Sequence, residues 1–175
     1  MIVVNIFGGP GIGKSTISAE VYAHLKKLHV NAELAREFAK EKVWEKSLDV
    51  LKDQVHILGE QHHRQFILKD QCQVAITDSP ILLCCIYNKF YTQLKHFDTL
   101  ALEAYHEFEN LNYVLERSKD YQFNPSGRVE DMEKSIKIDS MIEDFLSRNK
   151  INFKLISHNH ATNTIVNDVL HKISL

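Results

Sequence analysis

Gly8, Gly13, Lys14 and Ser15 carry the densest chemical signal in the chain, within the stretch GGPGIGKST that runs over residues 8–16. Their spacing, G-x-x-x-x-G-K-[ST], is that of a loop that holds phosphate between a strand and a helix. Glycines let successive backbone N–H groups curl around phosphate oxygens where side chains would collide. The following helix adds the positive end of its dipole. On this reading Gly8, Gly9, Gly11, Ile12, Gly13, Lys14, Ser15 and Thr16 cradle a nucleoside triphosphate. Lys14 reaches the β- and γ-phosphates, and the Ser15 hydroxyl ligates Mg²⁺.

Asp78 closes the apolar run VAIT, where a parallel sheet presents its ligand-facing residues. Its carboxylate could hold the Mg²⁺ shell or accept a proton from an attacking hydroxyl, or Asp78 and Ser79 could cap a helix that starts at Pro80. Arg36 and Glu37 end a second strand-like run on the same edge. Glu37 could orient or deprotonate an acceptor hydroxyl and Arg36 could grip an anion, or the two could form a surface ion pair.

Arg117, Lys119 and Arg128 bracket or occupy a loop rich in Asn, Pro, Ser and Gly. A closing lid that delivers cations would stabilise a moving phosphoryl group and exclude water, whereas an ordinary surface loop would simply be cationic. Gln61 in QHHRQF and Tyr87 in YNKFYTQLKHF are further substrate-side candidates. The helical spacing of those two segments favours a core role for their aromatics, and His62 and His63 read as surface residues rather than ligands.

These groups separate three kinds of phosphate-loop protein. Hydrolytic motors place a second acid directly after the metal aspartate, and here Ser79 follows Asp78. Guanine-nucleotide switches carry D-x-x-G and N-K-x-D, and here the corresponding stretches read DSPI and NKFY. A kinase remains, with Lys14, Glu37, Asp78, Arg117 and Arg128 as its catalytic candidates.

The elements that must position these groups alternate in type along the chain, which predicts a parallel sheet covered by helices on both faces. Strands are expected at residues 2–7, 31–37, 74–77, 112–117 and 152–157. The first helix is expected over 14–28, because Ile17, Val21, Leu25 and Leu28 recur three or four apart. Two helices broken near Ser47, a possible cap, should fill 38–71. Helical segments follow through Asn88, then over 98–109, 130–149 and 161–172. The expectation is one α/β domain over residues 1–175 with the P-loop NTPase fold. Its five-stranded, mostly parallel sheet carries a kinase-type lid at about 118–129.

Bulk composition agrees. With 175 residues, 44% of them hydrophobic, the chain can bury one substantial core. A formal net charge of −2 advertises no polyanion partner. The three cysteines, Cys72, Cys84 and Cys85, suggest reduced thiols rather than disulfides or zinc. No run approaches the ~18 apolar residues a membrane span needs, and the N-terminus has no basic leader, so a cytoplasmic protein is expected.

Taken in order, GGPGIGKST, AREFAKE, ITDSPILL and NPSGRVEDMEKSIKIDSMIEDFL resemble the NadR-type P-loop kinases, a family that includes the nicotinamide-riboside kinase domain and small phage-encoded relatives. The resemblance implies transfer of the γ-phosphate of ATP, with Mg²⁺, to a hydroxyl of a nucleoside- or nucleotide-like small molecule. It implies Arg36 and Glu37 near the acceptor, Asp78 at the metal or acceptor, and Arg128 in the lid. The 175 residues leave no room for the adenylyltransferase or DNA-binding domains of NadR itself. Phage relatives that phosphorylate hydroxymethylated pyrimidines keep modified DNA open as a substrate, and a non-catalytic nucleotide switch is the remaining alternative.

Overall fold

A computed structural model of the chain describes residues 1–117 and 131–174. Its centre is β1 (Ile2–Phe7), six residues all buried, as expected of a strand covered on both faces. After it come α1 (Lys14–Lys27), β2 (Ala32–Ala35), α2 (Phe38–Trp44), a short 3-10 helix (Leu48–Lys52), α3 (Gln54–Phe66) and β3 (Val74–Thr77). The second half supplies α4 (Leu83–Asn88), α5 (Phe97–His106), β4 (Glu109–Leu115), α6 (Met132–Arg148), β5 (Lys154–Ile156) and α7 (His158–Ile173).

The strands lie in the order β2-β3-β1-β4-β5, and every pairing is parallel. All strand carboxyl ends therefore share one edge, with the loop after β1 at its middle. Asn5 of β1 stands opposite both Thr77 and Asn112, which brings the residues following β3 and β4 alongside that loop.

Alternation along β1 divides the core. Val4 and Ile6 face α1 and α7 through Val21, Leu25, Ile165 and Val169. Val3 and Phe7 face the opposite layer, built from Ile57 of α3, Ile86 of α4, and Ile138 and Ile142 of α6. Each such fully buried side chain contributes about 1.5–3 kcal/mol, so both flanks of the loop rest on firmly packed helices. The one polar residue of β1, Asn5, is also buried and must find partners. Its Nδ2 donates to Oδ1 of Asn110 at 2.8 Å and of Asn112 at 3.1 Å, tying β1 to β4.

Several expected boundaries move. The helix expected to reach Glu109 stops at His106, and Glu109 opens β4, which ends at Leu115 instead of Arg117. Burial explains this: β4 starts half-exposed and becomes buried from Asn112 onward, so the apolar stretch marks only its inner half. The Ser47 side chain caps neither the short 3-10 helix that follows it nor α3; α3 is capped by Asp53, which accepts the His56 N–H at 3.1 Å. The terminal helix begins at His158 rather than 161, and the sheet is wholly parallel. The lid expected at 118–129, with Lys119 and Arg128, lies outside the described residues.

Candidate functional site

The loop between β1 and α1 is shaped by glycine. Gly13 occupies the cap position of α1 with φ 95°, in the left-handed region that a side chain disfavours. No side chain caps α1, and its first turn holds no acidic residue. The positive end of the helix is thus kept for an external anion. Ile12 turns the other way: its side chain, 1% exposed, packs into the core with Ile17 and Val21, so it can serve a phosphate only through its backbone. Lys14 folds over the loop, its Nζ donating to the Gly9 carbonyl at 3.2 Å.

Two charged side chains hold the loop from outside. Asp139 of α6 accepts the Gly9 N–H on Oδ1 at 2.5 Å and the Arg117 Nε–H on Oδ2 at 2.7 Å. Arg117 also donates from Nη2 to the Pro10 carbonyl at 3.2 Å. A Cβ on Gly9 would collide with the Ser135 carbonyl and stand 2.8 Å from Asp139 Oδ1. Here glycine is required by the close approach of α6, not by its own torsion angles.

In front of the loop lies a cavity, partly open to solvent, with both polar and apolar side chains in its lining. Lys14 and Ser15 form one side of it. Glu37, at the start of α2, and Ser79, after β3, flank it. Tyr87 and Tyr91 also line it, as a parallel pair with ring centres 6.4 Å apart and planes 7° apart. Val43, Leu51, Ile57 and Leu83 add apolar surface, and Lys40 one cation. Cys84 also lines it, but burial pushes its thiol up to about 12, so it stays a neutral, unreactive group near pH 7.

The remaining predicted residues divide. Asp78 is 8% exposed, one position past the β3 residue that pairs with β1, and its carboxylate takes no hydrogen bond among the described residues. It does not cap a helix: α4 starts later, at Leu83, after a turn in which the Leu83 N–H bonds the Pro80 carbonyl. Arg36 is exposed and does not line the cavity. Gln61, 1% exposed, does not line it either. Its Oε1 accepts from the Phe38 N–H, and its Nε2 donates to the Arg36 carbonyl and to Thr77 Oγ1. Thr77 Oγ1 in turn accepts the Ser79 N–H at 3.1 Å. Gln61 therefore fastens the ends of β2 and β3 and sets the turns that carry Glu37 and Ser79.

The family model described as an AAA domain matches residues 3–162. The chain belongs to that family. Among solved structures, the fold is similar to that of NadR protein in complex with NR, with a TM-score of 0.70 and 15% identity over 97% of this chain. This chain spans 50% of that one. It is also similar to deoxyadenosine kinase from M. mycoides, with a TM-score of 0.58 and 22% identity in the form with bound dATP, covering 99% of this chain and 100% of that one. A second structure of that enzyme, with products dCMP and a flexible dCDP bound, gives a TM-score of 0.56 and 22% identity over 98% of both chains. No curated protein sequence matches. The α/β fold, with its five-stranded parallel sheet, is thus that of P-loop kinases, as the sequence resemblance implied.

Sequence reasoning missed Asp139 and Gln54, and it favoured a core role for Tyr91 with the other aromatics of its segment. Asp139 lies four residues beyond the buried Ser135, on the edge of the apolar stripe made by Ile138 and Ile142. A carboxylate beside a buried stripe, on the helix that follows the cationic loop, was the available signal. Tyr91 lies four residues from Tyr87, so the pair was readable as one helical face although α4 ends at Asn88. Gln54 lines the cavity from the first turn of α3, its Nε2 anchored on the Leu51 carbonyl at 2.7 Å and its buried Oε1 without a protein partner among the described residues. A glutamine at a helix start looks like any surface residue until the packing is known.

Proposed function

We propose that the protein is a kinase that transfers the γ-phosphate of ATP to a hydroxyl of a nucleoside- or nucleotide-like small molecule. One observation carries this reading: Lys14 and Ser15 of the phosphate loop line the same cavity as Glu37 and the ring pair Tyr87 and Tyr91. A triphosphate seated on the loop would present its last phosphate to whatever occupies that cavity. The mixture of apolar walls, two rings and few charges suits a planar heteroaromatic body with a polar edge.

In this mechanism the backbone N–H groups of Gly11–Gly13 and the α1 terminus bind the triphosphate, since the Gly9 N–H is held by Asp139 and Pro10 has none, and Lys14 follows the charge as it moves to the transferred phosphoryl. Glu37 orients the acceptor hydroxyl and takes its proton. Tyr87 and Tyr91 position the acceptor's ring, which converts an encounter into an aligned pair. Ser15 and Asp78 suit Mg²⁺: they bring a hydroxyl at the cavity and a carboxylate with no hydrogen bond among the described residues, both hard oxygen donors. The ion would neutralise charge on the β- and γ-phosphates. Arg117 would add its charge from the loop's outer side, and Arg128 from the segment beyond it.

The test is transfer of labelled γ-phosphate to a panel of nucleosides, nucleotides, nicotinamide riboside and DNA containing hydroxymethylated pyrimidines, with Lys14→Ala as control. Phosphorylation of a free nucleoside or nucleotide, abolished by Lys14→Ala, is the expected result. Transfer to the polymer alone would make the protein a DNA-modifying kinase. ATP binding with no acceptor phosphorylated would make it a nucleotide switch.

A further inference from the structure

We infer that Asp139 is a positioning residue for nucleotide binding, one carboxylate that sets both the first turn of the phosphate loop and the guanidinium of Arg117. The inference rests on the nucleotide-binding half of the reading above and does not depend on which acceptor is used.

The geometry is unusual in joining three separate parts of the chain at one group. Oδ1 of Asp139 takes the Gly9 N–H at 2.5 Å, and Oδ2 takes the Arg117 Nε–H at 2.7 Å. Arg117 then reaches the Pro10 carbonyl with Nη2 at 3.2 Å, so two consecutive loop residues are held by one ion pair. The side chains of Arg117 and Asp139 are only 15% and 16% exposed, so solvent screens the pair less than an ordinary surface pair. Charge-assisted bonds of this kind are short and directional.

Asp139 itself is braced. It projects from α6 four residues after Ser135, whose hydroxyl donates to the Asp131 carbonyl at 2.7 Å, and beside Ile138 and Ile142, which are 0% and 1% exposed. A rotation of α6 would break core packing before it released the loop. The missing side chain at Gly9 lets α6 come this close.

Arg117 brings five N–H donors in a fixed fork. Nε–H and one Nη2–H serve Asp139 and Pro10, and Nη1 lies 3.8 Å from the Met132 sulfur, a weak acceptor. Among the described residues its other N–H groups take no further partner, on a group whose plane is already fixed. A loop held in place before the nucleotide arrives does not lose that freedom on binding. Asp139 thus supplies affinity without touching the ligand.

The experiment measures ATP binding by calorimetry and, with an accepted substrate, kcat and KM, for Asp139→Ala, Asp139→Asn, Arg117→Ala and the Asp139→Ala/Arg117→Ala double variant. Melting temperature and far-ultraviolet circular dichroism accompany each. Asp139→Ala is expected to raise the Kd for ATP about tenfold or more while the protein stays folded. Asn keeps an oxygen for the Gly9 N–H but turns its amide toward the Arg117 donor. Asp139→Asn should therefore bind ATP more nearly like the native protein while kcat falls as in Arg117→Ala. The double variant should lose less than the two single losses combined, because both act through one contact. Native Kd in both Asp139 variants would overturn the proposal. So would binding lost only in proportion to folded protein, or losses in the double variant that multiply. The binding measurement needs no acceptor, so a native protein that binds ATP but phosphorylates nothing would sink the kinase reading and leave this one standing.

Discussion

Gly9 and Pro10 are gripped by the charged side chains Arg117 and Asp139, whereas the cavity lining also holds a pair of rings and a patch of apolar packing. The first kind of contact is directional and loses its strength over a few tenths of an ångström. The second tolerates small shifts, since burial of apolar area has no preferred angle. A triphosphate presents the same oxygens every time and suits a rigid receiver, while an acceptor can vary in its ring and needs one that adapts. On the proposed reading, catalysis would fall to the stiff contacts and selection to the soft ones.

Breaking the stiff side should produce the largest effects. Lys14→Ala removes the cation of the phosphate loop and is expected to lower transfer on the order of a hundredfold or more, measured as kcat with labelled ATP. Gly9→Ala tests the loop without removing a charge. Its new Cβ meets the Ser135 carbonyl, so either the loop or α6 must retreat. Overpacking of that kind costs about 1–3 kcal/mol and should lower Tm by roughly 2–12 °C, together with weaker ATP binding. A Gly9→Ala variant with native Tm and native Kd would show that the loop is not held as tightly as its contacts imply.

The soft side should yield smaller and more selective losses. Tyr87→Ala or Tyr91→Ala removes half of the ring pair and is expected to raise KM for the acceptor about threefold to tenfold, with the Kd for ATP unchanged. A change in ATP affinity instead would mean that the rings hold the nucleotide. The smallest effect concerns Cys84. Its thiol ionises near 9 in an unfolded chain and is pushed up to about 12 by burial, so the folded state resists ionisation that the unfolded state permits. Its contribution is complete below pH 9 and is lost as pH climbs toward 12. Tm should therefore fall over that interval, less steeply in Cys84→Ala, whose activity at pH 7 should remain close to native. An identical alkaline fall in both proteins would remove Cys84 as its cause.

The contrast between the two sides also explains what could be read in advance. GGPGIGKST announced itself because backbone geometry dictates both its glycines and their spacing, and the loop lies where the motif requires, between β1 and α1. Val4 and Ile6 against Val3 and Phe7 were legible as a doubly covered strand for a similar local reason. Gln61 shows the opposite case. Its side chain looked available to a substrate, yet three backbone and hydroxyl partners use it completely. Those partners come from α2, β3 and the turn after β2, and no local pattern joins them. Likewise Arg117 read as a free cation, because its partner Asp139 lies 22 residues onward.

The sequence by itself determined a phosphate loop, a parallel α/β sheet and the edge on which Glu37, Asp78 and Arg117 would stand, since periodicity and glycine spacing are local properties of the chain. Only the tertiary structure decided that Asp139 holds the loop, that Tyr87 and Tyr91 form one face of the cavity, and that Gln61 and Arg36 stay out of it. Those outcomes depend on how α3, α4 and α6 pack against the sheet, and packing brings together residues whose separation along the chain carries no signal.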